Sequence, residues 1–272
     1  MRAINIKPGR TAAVFLTVLP FVLVLLLYVF GSAARLAENP GDKLLPSLAA
    51  MAEALKQYAF VPDARSGNYL LWTDTAATLI RLLIALAIST VIALFAGIFI
   101  GLLPLARTAF GPIVAVASMV PPLALLPILF IVIGLGEASK IALVVIGTAL
   151  KLTRDIAMRV EDIPPEQIIK AQTLGASTPQ IALRVVLPQI LPRLIDAVRL
   201  ELGPAWLFVI AAEAIAADAG LGYRIFLVRR YLAMDVIIPY VAWITLLAFF
   251  MDWALKVLQR RAFPWFAAGR TQ

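Results

Sequence analysis

The chain has 272 residues, of which 62% are apolar and only 15% charged, with a mean hydropathy of +0.94; ordinary soluble domains carry about 25% charged residues, so a soluble globular fold is excluded. It contains no cysteine and no histidine, which removes disulfides, thiolate or imidazole metal sites and every catalytic arrangement built on a histidine base. Its net charge of +8 comes from basic residues set between apolar runs rather than in a dense block, which fits membrane orientation and not nucleic-acid binding.

A hydrocarbon core about 30 Å thick takes about 20 helical residues, and residues 11–30 supply an uncharged run of that length. Arg2, Lys7 and Arg10 before it and Ser32-Ala33-Ala34 after it resemble a signal peptide, but the run is longer than the usual apolar region of one. An uncleaved anchor is the expected reading, with residues 1–10 as a cytoplasmic N-terminus. Residues 31–75 form the long outer loop, broken at Pro40-Gly41, with an amphipathic helix over 45–58 resting at the membrane surface.

Residues 82–106 and 108–136 are also uncharged apart from Arg107 between them, and they read as the second and third spans. Gly97-x-x-x-Gly101 permits close helix approach and is read as packing. Arg81, near the outer end of the second span, is expected to snorkel toward water. Pro121, Pro122 and Pro127 remove backbone donors inside the third run, so it must kink or break where protein or water meets the freed carbonyls. A structural kink and a break beside a translocation path both fit.

Three further spans, at 139–157, 197–217 and 235–257, require Lys151, Arg154, Arg199, Glu201, Glu213 and Asp252 to sit at ends or to find partners on protein-facing surfaces. With both termini in the cytoplasm, the inner segments hold fourteen Lys/Arg and the outer segments eight, in line with the positive-inside rule. The expected fold is an all-α integral membrane protein of about six transmembrane helices, a single domain over 11–272. Glu213 is the costliest group to place in lipid, and it either lines the outer half of a pathway with Trp206, Pro121 and Pro122, or pairs in the interior for assembly.

The inner loop 158–196 holds the most specific pattern. Pro164-Pro165 opens a helix at its first turn, with Glu166 and Lys170 interleaved among Ile168, Ile169, Ala171 and Leu174. Gly175 suits the left-handed residue that ends it, and Ser177-Thr178-Pro179 caps a second helix through Val186, which Leu187-Pro188 is expected to stop. The resulting apolar face is covered either by a partner protein or by the chain's own helix ends.

Ala171, Gly175, Leu187 and Pro188, with Val185 two residues before Leu187, resemble the EAA loop of ABC-importer permeases, although Ile169 and Lys170 stand where that pattern has Glu and Ala. Met119-Val120-Pro121-Pro122-Leu123-Ala124, Gly134-Leu135-Gly136-Glu137, Leu174-Gly175-Ala176-Ser177, Ala205-Trp206 and Gly220-Leu221-Gly222-Tyr223 are similar to the nitrate/sulfonate/taurine branch of that family. The resemblance implies a bacterial inner-membrane permease with a second permease copy, a separate ATPase dimer carrying ATP and Mg²⁺, and a periplasmic binding protein that delivers substrate. Coupling to the ATPase would fall to Glu166, Lys170, Ala171, Leu174, Gly175, Ala176, Ser177, Leu187 and Pro188. The chain itself has no Gly-x-x-x-x-Gly-Lys-Ser/Thr phosphate cradle. No cofactor or metal site is expected on it, because its sixteen acidic residues are scattered. An enzyme finds no support in the residue census; a structural or assembly membrane protein fits the spans without transport. The branch suggests a small anion as substrate, while an ionised Glu213 on the path would favour a small neutral or cationic nitrogen compound.

Overall fold

A computed structural model describes residues 9–64 and 66–268; Arg2, Lys7, Arg65 and Arg270 of the charge pattern lie outside the described residues. The described residues are helical and contain no strand. In chain order the helices are α1 (Arg10–Glu38), α2 (Leu48–Phe60), α3 (Leu70–Leu102), α4 (Pro104–Ala117), a 3-10 turn Pro122–Leu125 followed by α5 (Leu126–Ile133), and α6 (Glu137–Glu161). Then come α7 (Pro165–Thr173), α8 (Thr178–Ile181), a π-helical turn Ala182–Val186 running into α9 (Leu187–Ala216), α10 (Leu221–Arg229), α11 (Met234–Ala262) and α12 (Pro264–Ala268).

By length and apolarity, three of these can cross a membrane (α1, α3 and α11), or five if each bent pair counts as one span. The pairs are α4 with Pro122–Ile133, bent by 82°, and Thr178–Ala216 with α10, bent by 54°. The expected fourth span is α6, whose charged residues keep it out of that set although Leu143, Val144, Leu152 and Ile156 on it are fully buried. The chain forms two compact units.

One unit comprises residues 1–69 and 228–241. Here α1 runs unbroken through Ser32, which is buried with its hydroxyl donating to the Leu45 carbonyl at 2.9 Å. The expected surface helix is α2, capped by Ser47 accepting from the Ala50 amide at 3.1 Å. In the turn between α1 and α2, Asp42 accepts from the Leu44 amide at 2.8 Å and pairs with Arg35. The Leu44 amide, then the Arg35 guanidinium, hold the Asp42 carboxyl below the usual carboxylate range. A lowered native pKa favours the fold above the ordinary Asp value, and that contribution is lost as pH falls through the lowered value. Hydrogen-exchange protection of the Leu44 amide is therefore expected to persist at mildly acidic pH, to drop in strong acid, and to be lost at neutral pH in Asp42→Ala, which removes the acceptor. Equal protection in that variant contradicts this account of the turn.

The other unit comprises residues 70–227 and 242–272. Its core joins Ala93 of α3, Leu152, Ile156 and Val160 of α6, Ile181, Val186 of the π turn, and Ile190 and Leu194 of α9. Gly97 and Gly101 do serve packing: a Cβ on Gly97 would lie 2.6 Å from Ile156, and one on Gly101 would lie 2.6 Å from the Ala157 carbonyl oxygen and Val160. Because a backbone carbonyl cannot swing aside, Gly101→Ala should force α3 and α6 apart at about 1–3 kcal/mol. A lowered midpoint of thermal unfolding in detergent checks this, and an unchanged midpoint contradicts it.

Two expectations about helix ends need correction. The helix that carries the second candidate span begins at Leu70, ahead of the uncharged run that starts at 82, and Asp74 and Arg81 in this added stretch are held by partners. Pro188 does not stop the second of the two short helices. The Leu187 amide donates to the Ala182 carbonyl, five residues back, so the helix widens to π register just where Pro188 cannot donate and its ring would crowd the preceding turn. The helix thereby continues into α9.

Candidate functional site

Helix α7 begins as expected behind Pro164, with Glu166 in its first turn and Lys170 in its last. It ends on Gly175, at φ +81°, where the Ala176 amide donates to the Ala171 carbonyl at 3.0 Å and the Gly175 amide to Gln172 at 2.9 Å. This is the Schellman arrangement, which satisfies the last carbonyls only if one residue is left-handed. Ser177 then opens α8, its amide donating to the Gln180 side chain at 2.8 Å.

The two short helices present two faces. Ile168, Ala171 and Ala176 pack against the core of the unit, so part of the apolar surface is covered by the chain itself. Glu166, Lys170, Gly175, Ser177 and Pro188 are exposed, and Leu187 is half-buried. Ile169 is 56% exposed and Leu174 80%, two large apolar side chains beside open polar groups. The Gln167–Gln189 hydrogen bond of 2.9 Å ties α7 to the start of α9, a helix 30 residues long.

The residues grouped for a pathway do not share one environment. Pro122 meets Phe208 at Gly147, where an added Cβ would lie 2.5 Å from the Phe208 ring and 3.1 Å from Pro122. Pro121 is exposed. Trp206 is 4% exposed and its indole nitrogen has no hydrogen-bond partner.

Glu213 is wholly buried and paired, which is the interior-pairing alternative. Its carboxylate accepts from Arg81 at 2.7 Å, from the Thr78 hydroxyl at 2.9 Å and from the Gly222 amide at 2.9 Å. Arg81 therefore does not snorkel; its guanidinium is 6% exposed and also binds Glu137 at 2.8 Å and the Ala219 carbonyl at 2.7 Å. Asp74 accepts from the Gly220 amide at 3.0 Å and from Arg224 at 2.8 Å, while the Leu221 amide donates to Thr78 at 2.9 Å.

Three side chains thus take the first amides of α10, the groups a helix N-terminus leaves without partners. The turn into α10 is made by Gly220, at φ +138°, whose missing Cβ leaves room for the Glu213 carboxylate; a Cβ there would lie 2.5 Å from it. The sequence analysis does not pick out Asp74, Thr78 or Arg224, and it has Glu137 only as the end of the Gly134-Leu135-Gly136-Glu137 motif. Asp74, Thr78 and Arg81 recur at four and three residues, a polar stripe on one helix face that becomes visible once the helix is started at 70.

Other ionisable groups in the spans also find partners. Arg199 pairs with Asp252 at 2.8 Å. Among the described residues Lys151, Arg154 and Glu201 make no ion pair. The Lys151 ammonium sits over the Phe208 ring, 5.7 Å from its centroid, and Glu201 Oε2 is buried without a hydrogen-bond partner.

Apolar, proline-broken helices with a buried charge network and two short exposed helices between candidate spans are the architecture of an integral membrane subunit. Residues 89–264 match the family model described as "Binding-protein-dependent transport system inner membrane component", and the chain belongs to that family. The chain is 37% identical to the taurine transport system permease protein TauC of Escherichia coli K12, over 72% of this chain and 71% of that protein. It is 32% identical to the putative aliphatic sulfonates transport permease protein SsuC of the same organism, over 54% of this chain and 56% of that one. Against the bicarbonate transport system permease protein CmpB of Synechococcus elongatus the identity is 27%, over 89% and 86% of the two chains. In fold it is similar to the inward-facing MetNI methionine ABC transporter, with a TM-score of 0.60, 23% identity, and coverage of 68% of this chain and 93% of that one. The chain is the membrane permease subunit of an ABC importer, a family that works with an ATPase and a substrate-binding protein.

Proposed function

We propose that this permease moves a small sulfonate-type solute by alternating access, driven by ATP and Mg²⁺ bound on a separate ATPase dimer. The observation that carries the substrate class is the 37% identity to a taurine permease. Two copies of the chain form the transport unit in the lipid of a bacterial inner membrane. Both termini face the cytoplasm, and a periplasmic protein delivers the solute. The segment from Glu166 to Pro188 receives the ATPase: Leu174 and Ile169 enter its socket, Glu166, Lys170 and Ser177 contact its rim, and Gly175 sets the angle between the two rods. Ala171 and Ala176 hold those rods to the core, and Leu187 and Pro188 carry the motion into α9. Pro122 and Trp206 border the path of the solute, and Pro121 marks the break in the span that flanks it.

Reconstitution of the chain with its ATPase and binding protein in proteoliposomes tests the assignment. ATP-dependent uptake of labelled 2-aminoethanesulfonate or ethanesulfonate in preference to bicarbonate is expected. Uptake of bicarbonate alone, or none with any of the three, overturns it.

A further inference from the structure

Helix α11 is apolar enough to cross a membrane, yet its last three turns carry an excess of positive charge. Over residues 251–272 Asp252 is the only acid, and Arg199 takes both of its oxygens, at 2.8 and 3.0 Å. Lys256, Arg260 and Arg261 are exposed and make no ion pair among the described residues.

Trp253, Lys256 and Arg260 recur at intervals of three and four residues, which places them on one face of α11. Trp253 is 54% exposed, and an exposed tryptophan in a span favours the boundary between hydrocarbon and headgroups. Lys256 and Arg260 lie about 4.5 and 10 Å further along the helix axis, which is headgroup depth. Helix α11 ends just ahead of Pro264. Trp265, also 54% exposed, follows Arg261 by four residues and stands edge-on to Phe263 and Phe266, with centroids 6.3 and 6.0 Å away. Cations without acids, set between two exposed tryptophans at the end of a span, match a negative headgroup above hydrocarbon. The buried centre of a protein interface, by contrast, is poor in lysine.

Another edge of the same helix is fastened to α9. Besides the Asp252–Arg199 pair, the buried Gln259 amide donates to the Pro192 carbonyl at 2.7 Å. Seven residues separate the two contacts on each helix, the register of antiparallel neighbours. A ligand on the cations therefore bears on the helix into which α8 runs.

We infer that Lys256, Arg260 and Arg261 hold the phosphate of an anionic phospholipid, with Trp253 and Trp265 at the edge of its acyl chains, and that the bound lipid keeps α11 seated on α9. A zwitterionic lipid offers the same phosphate but brings its own ammonium, which these cations repel. The choice of the inner leaflet rests on the cytoplasmic C-terminus proposed above; the recognition chemistry is independent of it.

The test uses the permease assembled with its ATPase in nanodiscs of phosphatidylcholine mixed with phosphatidylglycerol, where first one lipid and then the other carries a photo-reactive acyl chain. Labelling of residues 251–268 is expected to favour phosphatidylglycerol strongly. Lys256→Gln, Arg260→Gln and Arg261→Gln should each lower that preference about fivefold, and the three together should abolish it; Lys256→Arg should leave it intact. The wild-type midpoint of thermal unfolding should be higher in mixed discs than in discs of phosphatidylcholine alone. The triple variant should unfold at one midpoint in both, equal to that of wild type in phosphatidylcholine, which shows that it is folded.

Equal labelling of wild type by the two lipids overturns the inference, as does a triple variant labelled like wild type. A triple variant that loses the ATPase also overturns it, by assigning the cations to that subunit. A wild-type midpoint equal in both discs overturns the hold on α9. None of these measurements needs transport, so a permease that takes up no sulfonate defeats the substrate reading and leaves the lipid site standing.

Discussion

Arg81→Met is expected to destabilise the membrane domain by about 3–5 kcal/mol, because it leaves a buried carboxylate without its cation. Glu213 has no exposed surface and Arg81 is its only cationic partner among the described ion pairs. The second pair that Arg81 makes matters less: Glu137 is 58% exposed, and water can replace the lost partner there. The loss should spread to the α10 end, since Glu213 also takes the Gly222 amide. Removing both charges tests the cause directly. Arg81→Met with Glu213→Leu should recover most of the loss, because a buried pair replaced by apolar groups is often neutral or better. Thermal unfolding of the four proteins of this cycle in nanodiscs measures it. A double variant no more stable than Arg81→Met alone shows that hydrogen bonding to Thr78 and Gly222, rather than the ion pair, holds the break between α9 and α10.

The second large effect is functional and leaves the fold alone. Leu174→Asp and Ile169→Asp place a charge on side chains that are already 80% and 56% exposed, so stability should change by less than about 0.5 kcal/mol. If they fill a socket on the ATPase, each should weaken its association by about 2 kcal/mol or more, roughly thirtyfold, as central apolar anchors do. Copurification of the ATPase and uptake should fall together while the unfolding midpoint stays put. Gly175→Val acts through a different route: a branched residue at φ +81° costs about 1–2 kcal/mol in backbone strain, so both stability and coupling should drop. Leu174→Asp with full ATPase binding contradicts the assignment of this face.

What the sequence makes legible follows from how local its causes are. The start of α7 behind Pro164-Pro165, its end at Gly175 and the cap at Ser177 depend on residues within one turn of each other, and the structure has them in those places. The break at Pro121-Pro122 is equally local and appears as an 82° bend. The close approach at Gly97 and Gly101 needed only the spacing, although its partner α6 did not show in it. Pro188 misled because a proline stops a helix only when the preceding turn keeps α register; here the π turn removes the clash.

The interior network was hidden for a different reason. Asp74 and Arg224 lie 150 residues apart, and an isolated charge in an apolar run looks like a span boundary until its partner is known. Arg81 read that way as a snorkelling end, although it lies a third of the way into α3. Lys151 and Glu201 resisted reading for the opposite reason, because they were expected to find partners, and only side-chain positions reveal that they do not.

The account depends most on force entering the membrane bundle through α7 and α8. A photo-reactive residue incorporated at Leu174 in the full complex, with the ATPase and binding protein present, measures this contact directly. The prediction is a crosslink to the ATPase subunit whose yield changes between the nucleotide-free and ATP-bound states. A crosslink only within the permease, or to the binding protein, would contradict it.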